Sequence, residues 1–334
     1  MLNTITIKNF KSIKDLTITN FKAINIFIGK PNVGKTSILE AIYLYLYGNP
    51  EALLPILNSR GMLNEKEVFE SLFYDYNISQ DIVLKGDNNT INIKANRNNQ
   101  SIKVIDELYS VNNVQFHSSN NASMTITKTN PNEFNIQISG KTKNKQESVE
   151  FIPNNPALKE KNLRDKLLKI MMIKEKREKI KEICQKFVQE QNNIDNIRII
   201  GDQIMVEQQH LTRDINFKLM GSGFQAYMSI HSAILNNNKY ILIDEIENGL
   251  HFENIKLLIK DIIDITANKI DMQFFITTHN QEILKNIYQI LNDTNQQERT
   301  AFFNLYNKNG RLEFIKYSQE DFITNIENEN ELRC

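Results

Sequence analysis

Gly29-Lys30-Pro31-Asn32-Val33-Gly34-Lys35-Thr36 is the stretch whose reading decides the fold. A dense apolar run, Ile24-Asn25-Ile26-Phe27-Ile28, precedes it. A segment with Ile38, Ala41, Ile42 and Tyr45 on one helical face follows it. Strand, glycine turn and helix form the context that G-x-x-x-x-G-K-[ST] requires. The glycines let the backbone wrap an anion without a Cβ in the way. The loop N–H groups then point inward, and the helix N-terminus adds positive potential. Gly29, Lys30, Pro31, Asn32, Val33, Gly34, Lys35, Thr36 and Ser37 are therefore expected to cradle the phosphates of a nucleotide. Lys35 is expected at the β- and γ-phosphates, and the Thr36 hydroxyl at Mg²⁺. A structural glycine turn is the competing reading.

Two more apolar runs end in polar groups. Tyr240-Ile241-Leu242-Ile243 leads into Asp244-Glu245. A buried parallel strand with carboxylates at its C-terminal edge is where α/β sheets place ligands. Asp244 is expected to hold Mg²⁺, and Glu245 has the position of a general base that polarises water. Acids also end strands as solvated caps. Phe274-Phe275-Ile276 runs into Thr277-Thr278-His279. Gly221-Ser222-Gly223 precedes a helical pattern and offers another set of N–H groups to an anion.

The chain has 334 residues, about two units or one large α/β domain with an insertion. Hydrophobic residues make up 40% and charged residues 24%, which suits a packed core. Forty Lys+Arg balance forty Asp+Glu, which excludes a globally basic nucleic-acid coat protein. Two cysteines, Cys184 and Cys334, make neither a disulfide framework nor a zinc spacing. No apolar run nears the ~18 residues that cross a bilayer. A soluble, cytoplasmic protein without membrane contact is expected.

Period-two alternation predicts strands over residues 1–28, with Ile24–Ile28 central. Residues 51–75 read as irregular helix. Residues 78–140 read as an antiparallel meander, with alternation at Ile82/Leu84, Ile91/Ile93, Ile102/Val104 and Ile136/Ile138. Pro153 and Pro156 mark a boundary. Residues 157–192 read as a charged helix or helical hairpin. Between Lys159 and Lys186, eleven Lys/Arg face five acids. Ile170, Ile173, Ile180 and Ile183 suggest that one side of it packs. Short strands are expected over 197–219, helices over 223–236, 252–266 and to about Leu291, and a hairpin over Phe302–Tyr317 turning near Asn309-Gly310. The tail from Gln319 is acidic.

Ile243-Asp244-Glu245-Ile246-Glu247-Asn248-Gly249-Leu250-His251 resembles the Walker B and D-loop segment of the ABC/SMC/RecF group of ATPases. Within it, the segment is most similar to the OLD-like branch of prokaryotic AAA-type ATPases. His251 then sits at the D-loop position. Asn9-Phe10-Lys11-Ser12 resembles the stretch that opens RecF and SMC heads near the bound adenine nucleotide. Gly221-Ser222-Gly223, with Gly223 21 residues before Asp244, resembles the signature loop, and His279 the switch histidine. Gln80 is the nearest candidate for the Q-loop glutamine. The resemblance covers residues 1–75 and 215–334.

The resemblance implies an α/β fold. It is the P-loop NTPase of ABC/SMC-head type, a mixed sheet with an antiparallel β lobe and a short helical insertion. Residues 1–155 would form the N-terminal part of the head, 156–195 the insertion and 196–334 the C-terminal part. The cofactors implied are ATP and Mg²⁺. Lys35, Glu245 and His279 would act on the γ-phosphate, Thr36 and Asp244 on the metal. Ser222 and Gly223 would cap the γ-phosphate bound by a second copy, which implies an ATP-dependent homodimer or higher oligomer. The 55 residues after His279 leave no room for the TOPRIM nuclease of OLD proteins. The reading is therefore a regulatory ATPase of a phage-defence system that controls a separate nuclease or toxin effector. A RecF-like ATPase that contacts DNA through the basic helix is the alternative, and a clamp that binds nucleotide but barely hydrolyses it is a third class. The basic helix reads equally as a solvated, salt-bridged surface.

Overall fold

Ile5 and Ile7, then Ile13, Leu16 and Ile18, lay one apolar face under two short strands, β1 (Thr4–Phe10) and β2 (Ile13–Thr19). They pair as an antiparallel hairpin. β3 (Ile24–Gly29), α1 (Lys35–Tyr47) and α2 (Leu53–Ser59) follow. β4 (Ile82–Gly86), β5 (Thr90–Asn96), β6 (Asn113–Ser118), β7 (Ser123–Asn130) and β8 (Glu133–Ser139) extend the hairpin into a seven-stranded antiparallel sheet. β9 (Val149–Ile152) comes next, then the helical hairpin α3 (Lys159–Met171) and α4 (Lys174–Lys186). A small antiparallel sheet holds β10 (Ile194–Ile200), β11 (Gln203–Gln208) and β12 (Ile215–Asn216).

The rest alternates as α5 (Ser222–Leu235), β13 (Tyr240–Ile243), α6 (Phe252–Asn268), β14 (Gln273–Thr278) and α7 (Gln281–Thr294). β15 (Thr300–Lys308) and β16 (Arg311–Tyr317) close it as a hairpin, with Asn309 and Gly310 at φ 52° and 77° in the turn. This computed structural model describes residues 1–65, 67–96, 113–118, 123–130, 133–139, 148–154, 159–187, 194–268, 271–318, 321–322 and 324–325. The alternation at Ile102/Val104 and most of the acidic tail lie outside them. Among the described residues, no helix is long and apolar enough to cross a membrane.

The central sheet runs β16-β15-β3-β14-β13-β9. Five of its members, β15 to β9 in that order, are mutually parallel, and β16 is an antiparallel edge. Successive side chains point to opposite faces and find a core on each. Ile24, Ile26, Ile241, Ile243, Phe274 and Ile276 pack with α5, α6 and α7. Phe27, Leu242, Phe275 and Phe303 pack on the other side with α1. There the rings of Phe21, Phe27, Phe275 and Phe303 meet at centroid distances of 5.2–6.4 Å.

α1 lies between this sheet and the antiparallel one, touching β1, β4, β9 and β14. The amphipathic pattern expected of it is therefore not what is seen. Ile38, Leu39, Ala41, Ile42 and Leu44 are all fully buried, because the helix has no solvent side. β9, not expected from the sequence, completes the central sheet just before Pro153; its four residues carry too short a pattern to mark a strand. One further expectation is corrected. Ile173 does not pack with Ile170 and Ile180. It sits at the turn between α3 and α4 and is 46% exposed.

Candidate nucleotide-binding and hydrolytic site

Because β3, β13 and β14 are parallel neighbours, their C-terminal ends share one edge. The sequence places Gly29–Ser37, Asp244-Glu245 and Thr277-Thr278-His279 at those ends. At Gly29 φ is 149°, and a Cβ would stand 2.6 Å from the Leu305 carbonyl oxygen of β15, so only glycine lets the loop leave the sheet there. Lys35 is buried, and its Nζ donates to the carbonyls of Gly29 and Lys30, each at 2.8 Å. The ammonium is thus held inside the loop at the N-terminus of α1. Ser12 Oγ lies 3.3 Å from Ser37 Oγ, so the Asn9–Ser12 turn abuts the loop.

Thr36 Oγ1 donates to the Asp244 carboxylate at 3.0 and 3.1 Å. Thr277 Oγ1 donates to Asp244 Oδ1 at 2.8 Å and accepts from the Glu245 N–H at 2.7 Å. Burial pushes the Asp244 carboxyl up to about 6, against the pull of the Thr277 and Thr36 hydroxyls and with help from the charges of Glu245 and Glu40. A buried carboxylate and a hydroxyl that already converge suit a hard divalent cation, which would remove the cost of that buried charge. These two side chains therefore fit Mg²⁺.

Glu245 adopts φ 50°, a sparsely populated conformation for a side chain with a Cβ. Its Oε2 accepts from Asn154 Nδ2, and its Oε1 stands 3.8 Å from His279 Nδ1. A carboxylate fixed between an amide and an imidazole, beside the phosphate loop, can orient a water molecule. His279 is 39% exposed at its side chain.

The Gly221-Ser222-Gly223 turn packs closely against the segment that follows Glu245. Gly223 is buried, and a Cβ on it would lie 2.2 Å from the Gly249 carbonyl oxygen. Ser222, the first residue of α5, is exposed. His251 is exposed just before α6. Gln80 is exposed too, and its carbonyl accepts from Asn9 Nδ2. Sequence reasoning missed Asn154, Thr277 as the partner of Asp244, and Glu247, which contacts His279. Glu247 and Thr277 stood inside motifs already quoted. Asn154 carried no signal, since it reaches Glu245 only through the pairing of β9 with β13.

Fold and site together define a P-loop ATP hydrolase of the ABC/SMC-head type. The chain belongs to the AAA-domain family described as putative AbiEii toxin, type IV toxin–antitoxin system, whose model matches residues 24–285. An ATP/GTP phosphatase of Helicobacter pylori is 28% identical over 374 aligned positions, covering 99% of this chain and all of that protein. An uncharacterized protein of Methanocaldococcus jannaschii is 37% identical over 108 residues, 30% of this chain and 49% of its own. Among solved structures, an SMC head bound to the C-terminal winged-helix domain of ScpA matches with a TM-score of 0.52 at 13% identity, over 97% of this chain and 99% of that one. The Pyrococcus furiosus SMC head with an extended coiled coil gives 0.51 at 11%, over 98% and 99%. These two likenesses concern the fold.

Proposed function

We propose that two copies of this chain close head to head on ATP and hydrolyse it, and that the cycle controls a separately encoded nuclease or toxin effector. The observation that carries the hydrolytic part is the shared edge of β3, β13 and β14, which puts Lys35, Thr36, Asp244, Glu245 and His279 together. In this reading residues 29–37 bind the phosphates through backbone N–H groups, and Lys35 neutralises charge at the β- and γ-positions. Thr36 and Asp244 hold Mg²⁺, which when bound supplies positive charge against the phosphate oxygens. Glu245 orients and polarises the attacking water, and Asn154 holds its carboxylate in place. His279 faces the γ-phosphate beside it. The Helicobacter protein's name, ATP/GTP phosphatase, supports triphosphate cleavage.

Ser222 supports the dimer. It is exposed at a helix N-terminus, where free N–H groups suit an anion, and its turn packs against the segment after Glu245. A γ-phosphate gripped from both copies makes ATP a link that hydrolysis weakens. The family's description, which names a type IV toxin–antitoxin system, supports the defence role. Phosphate release from ATP by the wild type, Lys35→Ala and Glu245→Gln tests the site. Each substitution should lower the rate on the order of a hundredfold or more, and unchanged rates would refute it.

The hairpin α3–α4 favours a second reading, a RecF-like ATPase that touches DNA. It carries the lysine-rich stretch 174–181, and Met172 at its tip is 83% exposed. Affinity for duplex DNA that falls steeply with salt, and is lost on charge reversal at Lys176 and Arg177, would establish that reading.

A further inference from the structure

β9 and β13 pair in parallel up to Ile152 and Ile243, and the Asp244 N–H donates to the Ile152 carbonyl at 3.0 Å. Pro153 follows and has no N–H to give, so the ladder does not carry on to Asn154. Yet Asn154 is the residue whose Nδ2 donates to Glu245 Oε2. The last torsion of an asparagine side chain is soft. Its grip on the carboxylate is therefore only as firm as the backbone that carries it.

Asn248 supplies the bond that the ladder lacks. Its Nδ2 donates to the Asn154 carbonyl at 3.0 Å, across 94 positions of sequence. Its own N–H donates to the Glu245 carbonyl at 2.9 Å, which pins Asn248 to the turn that Glu245 begins. Three contacts thus close a ring. The Asn154 amide holds the Glu245 carboxylate, the Asn248 amide holds the Asn154 carbonyl, and the Asn248 N–H holds the Glu245 carbonyl. Glu245 stands in that ring at φ 50°, a conformation that persists only where the surroundings enforce it. Asn248 itself is exposed, so its amide contributes a directed bond and not core packing.

We propose that Asn248 is a positioning residue for hydrolysis: it fixes the Asn154 backbone and, through the Asn154 amide, the orientation of the Glu245 carboxylate. The inference rests on the reading that Glu245 polarises the attacking water. It gives an exposed asparagine outside the phosphate loop and the metal pair a share in the chemical step.

A double-substitution cycle on ATP turnover tests the proposal. Asn248→Ala should lower kcat on the order of tenfold and leave KM within about twofold. Asn248→Leu, similar in size but without a donor, should fall with it, and Asn248→Gln, which keeps the amide, should recover part of the rate. In an Asn154→Ala background, Asn248→Ala should alter kcat less than about twofold, because Asn248 works through the Asn154 amide. Gly249, next in the chain, lies against the Ser222 turn, so an effect on dimer closure has to be separated from one on Glu245. Adding Asn248→Ala to Glu245→Gln should leave the mass of the protein in saturating ATP unchanged. A wild-type rate in Asn248→Leu, multiplicative losses in the double variant, or a dimer lost with Asn248→Ala would each overturn the proposal and leave Glu245 as the base. Full activity of Glu245→Gln would overturn that reading and the proposal together.

Discussion

Thr36 Oγ1 lies 3.0 and 3.1 Å from the two carboxylate oxygens of Asp244, which joins side chains 208 positions apart. The contact ties the start of α1 to the end of β13, and it brings together the two groups suited to the metal. It also has a thermodynamic consequence, because Asp244 is buried.

In the folded protein that burial raises the Asp244 carboxyl to about 6, whereas an unfolded chain returns it to about 3.9. Between those values the folded state holds a proton that the unfolded state has released. Stability is therefore lost as pH rises through this window, and above it the buried charge costs about 3 kcal/mol. Asp244→Asn should raise the thermal midpoint of nucleotide-free protein by a few degrees at pH 7.5. It should give no such gain near pH 4, and it should abolish hydrolysis. Calorimetry at the two pH values with a phosphate-release assay checks all three.

Glu40 on α1 is completely buried and accepts from Lys11 Nζ at 2.6 Å and Arg60 Nε at 3.1 Å. Burial already pushes the Lys11 ammonium below its usual value, and Glu40 opposes that shift. Glu40→Ala would strand a buried cation beside the phosphate loop and should destabilise the protein by about 3–5 kcal/mol. Glu40→Met combined with Lys11→Met should recover most of the loss. Urea midpoints of the two variants report the difference.

Gly223 and Gly221 should behave oppositely on substitution by alanine. A Cβ at Gly223 meets the Gly249 carbonyl oxygen at 2.2 Å, whereas one at Gly221 meets nothing within 4 Å. Gly223→Ala should cost about 1–3 kcal/mol and displace the signature turn. Gly221→Ala should stay within about 0.5 kcal/mol of wild type. Thermal melts of both proteins decide it.

Gln273 is fully buried and clamps the N-terminus to the sheet. Its Oε1 accepts from the Leu2 N–H, and its Nε2 donates to the carbonyls of Leu2 and Lys22, all at 2.8–2.9 Å. Gln273→Leu leaves the Leu2 N–H and carbonyl without these partners, while the Lys22 carbonyl keeps Asn25 Nδ2, and should cost about 2–4 kcal/mol. Hydrogen exchange at Leu2 should accelerate with it.

The strand ends of the site were legible because apolar runs stop at Gly29, Asp244 and Thr277, and a sequence shows such stops directly. The hairpins β1–β2 and β15–β16 were legible from alternation and from Asn309-Gly310. What escaped depends on tertiary pairing. β9 is a strand because β13 lies beside it, and Glu150 in its middle breaks the apolar pattern. α1 looked one-sided because Glu40, Tyr43 and Tyr47 lie off the face of Ile38, Ala41, Ile42 and Tyr45, yet the helix is covered by a sheet on both sides. Asn154 becomes a partner of Glu245 only once β9 is placed.

Light scattering coupled to gel filtration of Glu245→Gln, at saturating Mg²⁺ and ATP, reads the ATP-bridged dimer itself. Twice the 38.9 kDa protomer mass is expected with ATP and the protomer mass with ADP. A mass of one protomer at saturating ATP, in protein shown to retain bound nucleotide, would contradict it.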